Sequence, residues 1–394
     1  MNSRADALPG QWSTTVRGSL LGWLPAIALL GPSLILTATD GGLQDYRKAQ
    51  IVALALLALT VIAGRSLFIP SWQACVLAGT ILASGGAALL GWIAADASAF
   101  LFSKSVMLVA MFLLVDQLRE RSFQELMRSM APLATLLIAI LLLGLLRNWQ
   151  ALGARPDFVG LHPNLGGELL FASLLVISFA APGWLRLLGY AAGLAALALL
   201  QSRAALLGSL IIIIGSEAWR LTQALGWQQA VRLSAGILAA ASTMALAALL
   251  FLPATANGVS TFFGSQILLL DHPERGVGTG LAGRVETWRA AWQAFAAAPF
   301  IGHGLDQTLM PNGQAIHNGY LALLAAFGLF AIGPFAVLIS ALTTAWRKDT
   351  HRFLVIIACC VVFFFNARSF NLNIFPLILW LACLPWCKPG QVDG

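Results

Sequence analysis

Charge is what this chain has least of. Only 10% of its 394 residues are charged, 59% are apolar, and the mean hydropathy is +0.83. Soluble domains carry about 25% charged residues. So little charge cannot cover a water-facing surface, which excludes a soluble globular fold and leaves lipid as the solvent. No cluster of Lys and Arg interleaved with aromatics is present either. The formal charge of +7 is therefore not a nucleic-acid signature, because the positive residues fall in short breaks between apolar runs. Cysteine is equally uninformative as a framework. Cys75, Cys359, Cys360, Cys383 and Cys387 all lie in or beside apolar stretches without metal-type spacing, and read as small polarizable core residues. Cys383 and Cys387, four apart, are expected to share a helix face. The N-terminal region lacks a cleavable signal pattern, so the first apolar run reads as a membrane anchor.

What is abundant is apolar sequence in runs. A spanning helix needs about 20 mostly apolar residues. Twelve candidates are expected, near 20–38, 49–64, 72–94, 99–118, 131–147, 165–181, 184–200, 203–219, 232–252, 317–345, 353–367 and 370–386. The chain then divides into a first membrane block over 1–252, one long polar segment over 253–316 broken by Pro253, Pro273, Pro299 and Pro311, and a second membrane block over 317–394. With the N-terminus cytoplasmic, thirteen of the 23 Lys and Arg fall inside and nine outside, with Lys104 within a span. The positive-inside rule then turns the long segment outward, to the periplasm. His162, His272, His303 and His317 share that outer face, and His351 is inside.

Four motifs could carry chemistry. In Leu161-His162-Pro163-Asn164-Leu165-Gly166-Gly167-Glu168, Pro163 can open a helix, Asn164 can cap it, and the two glycines permit close approach of backbone or ligand. Glu168 then falls in the first turn of a membrane helix, where a carboxylate is costly and points to function. The plainer alternative is a capping turn whose Glu complements the helix dipole. In Gln201-Ser202-Arg203, the arginine stands where the seventh span turns sharply into the eighth. Arg at a helix N-terminus makes an anion site, unless it only snorkels to headgroups.

The third motif runs from Gly283-Arg284 through Trp288. Val285, Trp288, Trp292 and Phe295 recur at helical spacing, which predicts a short amphipathic helix in the outer interface, ended by Pro299. Arg284 at its start adds to the helix dipole and suits a phosphate, although a solvated surface charge explains it as well; Arg289 follows on the same helix. The fourth is Pro299-Phe300-Ile301-Gly302-His303-Gly304, followed by His317-Asn318-Gly319-Tyr320-Leu321. An imidazole in either segment can accept a proton near neutral pH. The alternatives are a loop histidine bonded to backbone for His303, and helix capping aided by Asn318 for His317. Arg368, with Asn366, Asn371 and Asn373, adds a further cation to the same face.

In this order, His162-Pro163-Asn164, Ser202-Arg203-Ala204, Gly283-Arg284 with Trp288, Pro299-Phe300-Ile301-Gly302-His303-Gly304 and His317-Asn318-Gly319-Tyr320-Leu321 resemble the O-antigen ligase/polymerase superfamily of integral-membrane glycosyltransferases, over residues 160–330. The resemblance implies an all-α, polytopic, GT-C-like fold of about 12 transmembrane helices in the bacterial inner membrane, with a long periplasmic loop containing short amphipathic helices. It implies a metal-independent, inverting transfer of a glycan from undecaprenyl diphosphate, without a cofactor. The acceptor would be lipid A-core, another lipid-linked glycan, or a protein side chain. Carried over, Arg203 and Arg284 hold the diphosphate and His317 orients or deprotonates the acceptor hydroxyl. His303 shapes the acceptor side, with His162, Asn164, Glu168, Arg289 and Asn318 as further substrate-binding residues. The polar loop is modest and no large soluble domain follows the last span, which ranks the protein acceptor lower.

Two other classes stay open. A transporter or flippase for a lipid-linked or anionic solute would use the same arginines, but predicts internal repeats and midplane sites; no repeat relates 1–200 to 200–394. A metalloenzyme built on the histidines lacks ligand spacing.

Overall fold

The computed structural model describes residues 23–38, 43–64, 69–90, 98–118, 123–147, 163–180, 183–233, 236, 243, 284–304, 316–365 and 374–386. Among the described residues there is no strand, and the α-helices are α1 (Leu24–Ala38), α2 (Leu43–Gly64), α3 (Trp72–Leu89), α4 (Ser98–Asp116), α5 (Phe123–Arg147), α6 (Pro163–Ile177), α7 (Gly183–Leu199), α8 (Arg203–Leu225), α9 (Arg284–Ala297), α10 (Gly319–Phe327), α11 (Ile332–Lys348), α12 (Thr350–Phe364) and α13 (Ile374–Cys383), with residues 227–233 also helical. By length and composition, Trp72–Leu89, Phe123–Arg147, Arg203–Leu225 and the stretch Gly319–Lys348 can cross a membrane, and five shorter apolar helices accompany them. The chain is a multi-pass membrane protein. The expected ninth span at 232–252 lies almost wholly outside the described residues, as do His162, His272, Arg368 and Cys387.

The solvent can be read from which side chains are left uncovered. Ile62, Leu143, Ile214 and Ile339 are 70%, 66%, 64% and 62% exposed. In water this much uncovered apolar surface would drive association; against acyl chains it costs nothing. Helix α6 is the opposite case. Every residue from Gly166 to Ala180 is buried, as expected of a helix that is apolar all round and surrounded by others. Lipid tails are as apolar as side chains, so close backbone approach holds such a bundle together, and small residues mark the crossings. A Cβ on Gly193 would fall 2.5 Å from Leu174 Cδ2, and one on Gly208 2.3 Å from Val362 Cγ2. These contacts seat α7 on α6 and α8 on α12. Elsewhere a polar clasp does this work. Asp116, at the end of α4, accepts from Ser71 N and Ser71 Oγ, both at 2.7 Å, while Ser71 Oγ caps α3 by accepting from Ala74 N.

The expected span at 317–345 is not one continuous helix. Helix α10 stops at Phe327, a 3-10 turn covers Gly328–Ala331, and α11 begins at Ile332. The cause is the segment after Pro299. Leu329 N donates to Pro299 O (2.7 Å), His303 N to Ala325 O (2.8 Å) and Gly304 N to Ala326 O (3.0 Å), so the turn occupies carbonyls that a continuing helix would have used. Gly328 permits the break. Its φ is +56°, and a Cβ there would meet Pro299 O at 2.4 Å.

Candidate functional site

Three helix ends converge at one end of the bundle. The first is the N-terminus of α8. Gln201 adopts a left-handed φ of 53°, and Ser202 N donates to Leu197 O at 3.3 Å, so α7 reverses into α8 within three residues. Gly166 and Gly167 make room for that reversal. A Cβ on Gly166 would lie 3.2 Å from Leu200 Cδ1, and one on Gly167 2.1 Å from Ser202 Oγ. The close approach expected at these glycines is therefore made by this chain's own turn. Arg203, half-buried, is the first residue of α8.

The second end is the start of α9. This helix buries its alanine face: Thr287 and Ala291 are covered, and Ala291 packs with Ile316, Ala322 and Ala325. Val285 and Trp292, two residues of the expected apolar stripe, lie off that buried face and are 47% and 55% exposed. Small residues face α10 because the two helices pack closely, and the larger apolar groups are left for the interface. Trp288 packs edge-on against Phe364 with ring centroids 5.4 Å apart, and its Nε1 is buried with no hydrogen-bond partner among the described residues. Arg284 lies over the ring of Phe365, 5.3 Å from its centroid. Burial lowers the pKa of the Arg284 guanidinium, and the positive charge of Arg203 lowers it further. Two cations from separate helices thus lie within electrostatic reach in a partly desolvated place. Arg289 is exposed. Five positions along a helix from Arg284, it is turned about 140° away, so the structure does not bring it to the same side.

The third element is the strip 316–319. Thr287 Oγ1 donates to Arg284 O (2.9 Å) and stands 3.4 Å from Ile316 O, which ties the strip to the first turn of α9. A Cβ on Gly319 would fall 2.6 Å from Phe363 Cδ2, which seats the strip against the end of α12. Between these anchors His317 has a φ of +50°, a strained conformation for a non-glycine residue. Asn318 is the N-cap of α10. Its Oδ1 accepts from Tyr320 N (3.0 Å) and Leu321 N (3.1 Å), so its carbonyl oxygen is committed to the helix rather than to a ligand. The capping role therefore belongs to Asn318, and His317 is left strained beside it.

Other expected residues are placed differently. The His303 ring lies with Nε2 2.8 Å from Ala294 O, so it holds α9 to the Gly302-His303-Gly304 turn in the manner of a loop histidine bonded to backbone. Asn164 does not cap α6; Pro163 opens the helix and Asn164 is its second residue. Glu168 is buried but in the second turn of α6, since no acidic residue occupies the first. Among the described residues, no group of three His, Cys, Asp or Glu side chains could hold a metal ion. What sequence reasoning missed is the polar edge of Trp288 and the ring face of Phe365. Spacing had given Trp288 to an apolar stripe, and only the approach of α12 to α9 exposes its donor as unused.

The arrangement offers paired guanidiniums, an indole N–H and an imidazole at one membrane face. That set suits an anion whose neighbouring hydroxyl is to lose a proton. Residues 188–336 match the family model described as O-antigen ligase, a stretch that holds Arg203, Arg284, His303 and His317. No curated protein matches the chain.

Proposed function

Through residues 188–336 the chain belongs with the O-antigen ligase superfamily, and from that premise we propose that it transfers a glycan from undecaprenyl diphosphate to an acceptor hydroxyl at the periplasmic face of the inner membrane. The family match supports an O-antigen ligase- or polymerase-like function in a glycosyltransferase-like enzyme. The carrier, the acceptor and the residue roles are our reading. Its main support is the meeting of Arg203 and Arg284, each from a different helix terminus, in a site where burial and the Arg203 charge both disfavour the charge of Arg284. A diphosphate bound between them reverses that penalty, and stabilises most as the leaving group gains negative charge.

In this mechanism the acceptor oxygen attacks the anomeric carbon from the face opposite the diphosphate. The bond from that carbon to the diphosphate oxygen breaks, the electron pair leaves with the diphosphate, and the hydroxyl proton passes to His317. Configuration is inverted in a single displacement. Arg203 and Arg284 supply the positive charge that a divalent cation would otherwise provide. The Trp288 N–H donates to the diphosphate or to the sugar beside it.

O-antigen ligation to lipid A-core is the preferred assignment, with polymerisation of O-antigen or exopolysaccharide as the second and protein glycosylation as the third. Outer-surface glycans and undecaprenyl-linked intermediates in a deletion strain distinguish them. Ligation predicts loss of long glycan from lipid A-core, with full-length polymer held on the carrier. Polymerisation predicts single repeats on lipid A-core and no polymer. Restoration of the wild-type profile by Arg203→Ala, Arg284→Ala or His317→Ala would remove that residue from the mechanism. An unchanged profile on deletion would turn attention to secreted polysaccharide, then to glycoprotein and transport.

A further inference from the structure

The end of the bundle opposite Arg203 holds a second cluster of cations, which the transfer chemistry does not use. On α8, Arg220 follows Arg203 by 17 positions. That is about 26 Å along the axis, near the thickness of the hydrocarbon core. Arg220 lines a cavity of about 570 Å³, together with Arg128 from α5, Arg186 from α7, and Arg347 and Lys348 at the end of α11; Asp349 is the carboxylate in its wall.

Two of these cations are fixed in place. Arg186 Nε donates to Glu217 Oε1 at 2.7 Å, and its Nη1 donates to Ala180 O at 2.9 Å. Arg220 donates to Glu217 and to Ser178 O, and Tyr190 OH donates to Glu217 at 3.0 Å. One carboxylate therefore serves two guanidiniums. Asp349 is engaged as the cap of α12, accepting from Arg352 N at 3.0 Å. Five cations against Asp349 and the adjoining Glu217 leave an excess of three positive charges among the described residues. A walled cavity concentrates that field more than a flat surface does.

A separate observation fixes the depth of the cavity. Trp184, Trp219, Trp227 and Trp346 are 63%, 37%, 71% and 69% exposed, and all four lie toward this same end: early in α7, in the last two turns of α8 and just past it, and in the last turn of α11. Exposed indoles in a ring mark the level of lipid headgroups. Trp219 itself lines the cavity.

We propose that this cavity binds the phosphate headgroup of an anionic glycerophospholipid from the leaflet opposite the transfer site. Arg186 and Arg220, held by Glu217, form a preorganised floor, and Arg128, Arg347 and Lys348 close around the phosphate from two other helices. The volume suits a phosphoglycerol headgroup. Occupancy joins α5, α7, α8 and α11 at their ends, and so steadies the same α8 whose far end carries Arg203.

The test is thermal unfolding of the purified full chain in micelles, titrated with phosphatidylglycerol, phosphatidylcholine or inorganic phosphate. We expect phosphatidylglycerol alone to raise the midpoint. In the triple variant Arg128→Gln/Arg347→Gln/Lys348→Gln the apparent affinity should fall roughly 100-fold, at about fivefold per cation near the surface. All three side chains are exposed, so the variant should match the wild type in phosphatidylcholine. If its midpoint there falls, the single variant Arg128→Gln is read in its place. Equal stabilisation by both lipids, or a variant that keeps the full response, overturns the site. A matching rise with millimolar inorganic phosphate overturns the lipid and assigns the cavity to a free phosphate.

Discussion

Replacing Arg284 by glutamine separates a catalytic cation from a structural one, because the two roles predict different signs. Consider the unliganded fold first. Burial and the Arg203 charge both lower the Arg284 pKa, so the folded state resists the charge, and removing it relieves repulsion. The opposing loss is the contact with the Phe365 ring, 5.3 Å from the guanidinium carbon. Partly exposed contacts of that kind contribute about 0.5–2 kcal/mol. Repulsion between two partly solvated cations is of the same order, about 1–3 kcal/mol at an effective dielectric of 20. The terms nearly cancel, and Arg284→Gln should unfold within about 1 kcal/mol of the wild type. Transfer is different. A charge about 5 Å from a diphosphate oxygen contributes roughly 3 kcal/mol at the same dielectric, which is on the order of 100-fold in kcat/KM. The assay is transfer from a purified undecaprenyl diphosphate-linked glycan, run beside thermal unfolding of the same preparation. Wild-type turnover with a lowered unfolding temperature would refute the reasoning and make Arg284 a packing residue on Phe365.

The strained histidine and the broken helix give two more tests. His317→Gly should relieve the left-handed φ of 50° and raise stability by about 1 kcal/mol, while transfer is lost; retained activity, or a destabilised protein, would argue against a strained catalytic histidine. Gly302→Ala places a Cβ 2.3 Å from Ala326 O at a φ of +72°. It should cost more than about 1–3 kcal/mol and loosen the turn that carries His303, read as earlier protease cleavage near Pro299 and a lower unfolding midpoint.

Legibility differed between the two levels for identifiable reasons. Composition alone dictated the solvent and the helical class, since a chain with 10% charge can satisfy its backbone in lipid only by helices or a closed barrel, and the runs have helix length. The sharp turn at Gln201-Ser202-Arg203, the helix start at Pro163 and the helix after Gly283 were also readable, because Pro, Gly and short polar breaks act locally. What spacing could not supply was the identity of the partner across each contact. The stripe Val285, Trp288, Trp292 and Phe295 satisfies helical periodicity, yet the alanine face is the one buried, since α10 approaches too closely for large side chains. The continuous apolar run at 317–345 conceals its break at Gly328, where the carbonyls are taken by a segment some 25 positions earlier in the chain. Asn318 rather than His317 caps α10, a choice set by one dihedral angle. Finally, Arg203 and Arg284 stand 81 positions apart in sequence. They meet because α8 packs on α12 through Gly208, while the start of α9 packs on the end of α12, with Arg284 over Phe365 and Trp288 against Phe364. Local sequence determined which residues were fit for the chemistry, and long-range packing decided which of them meet.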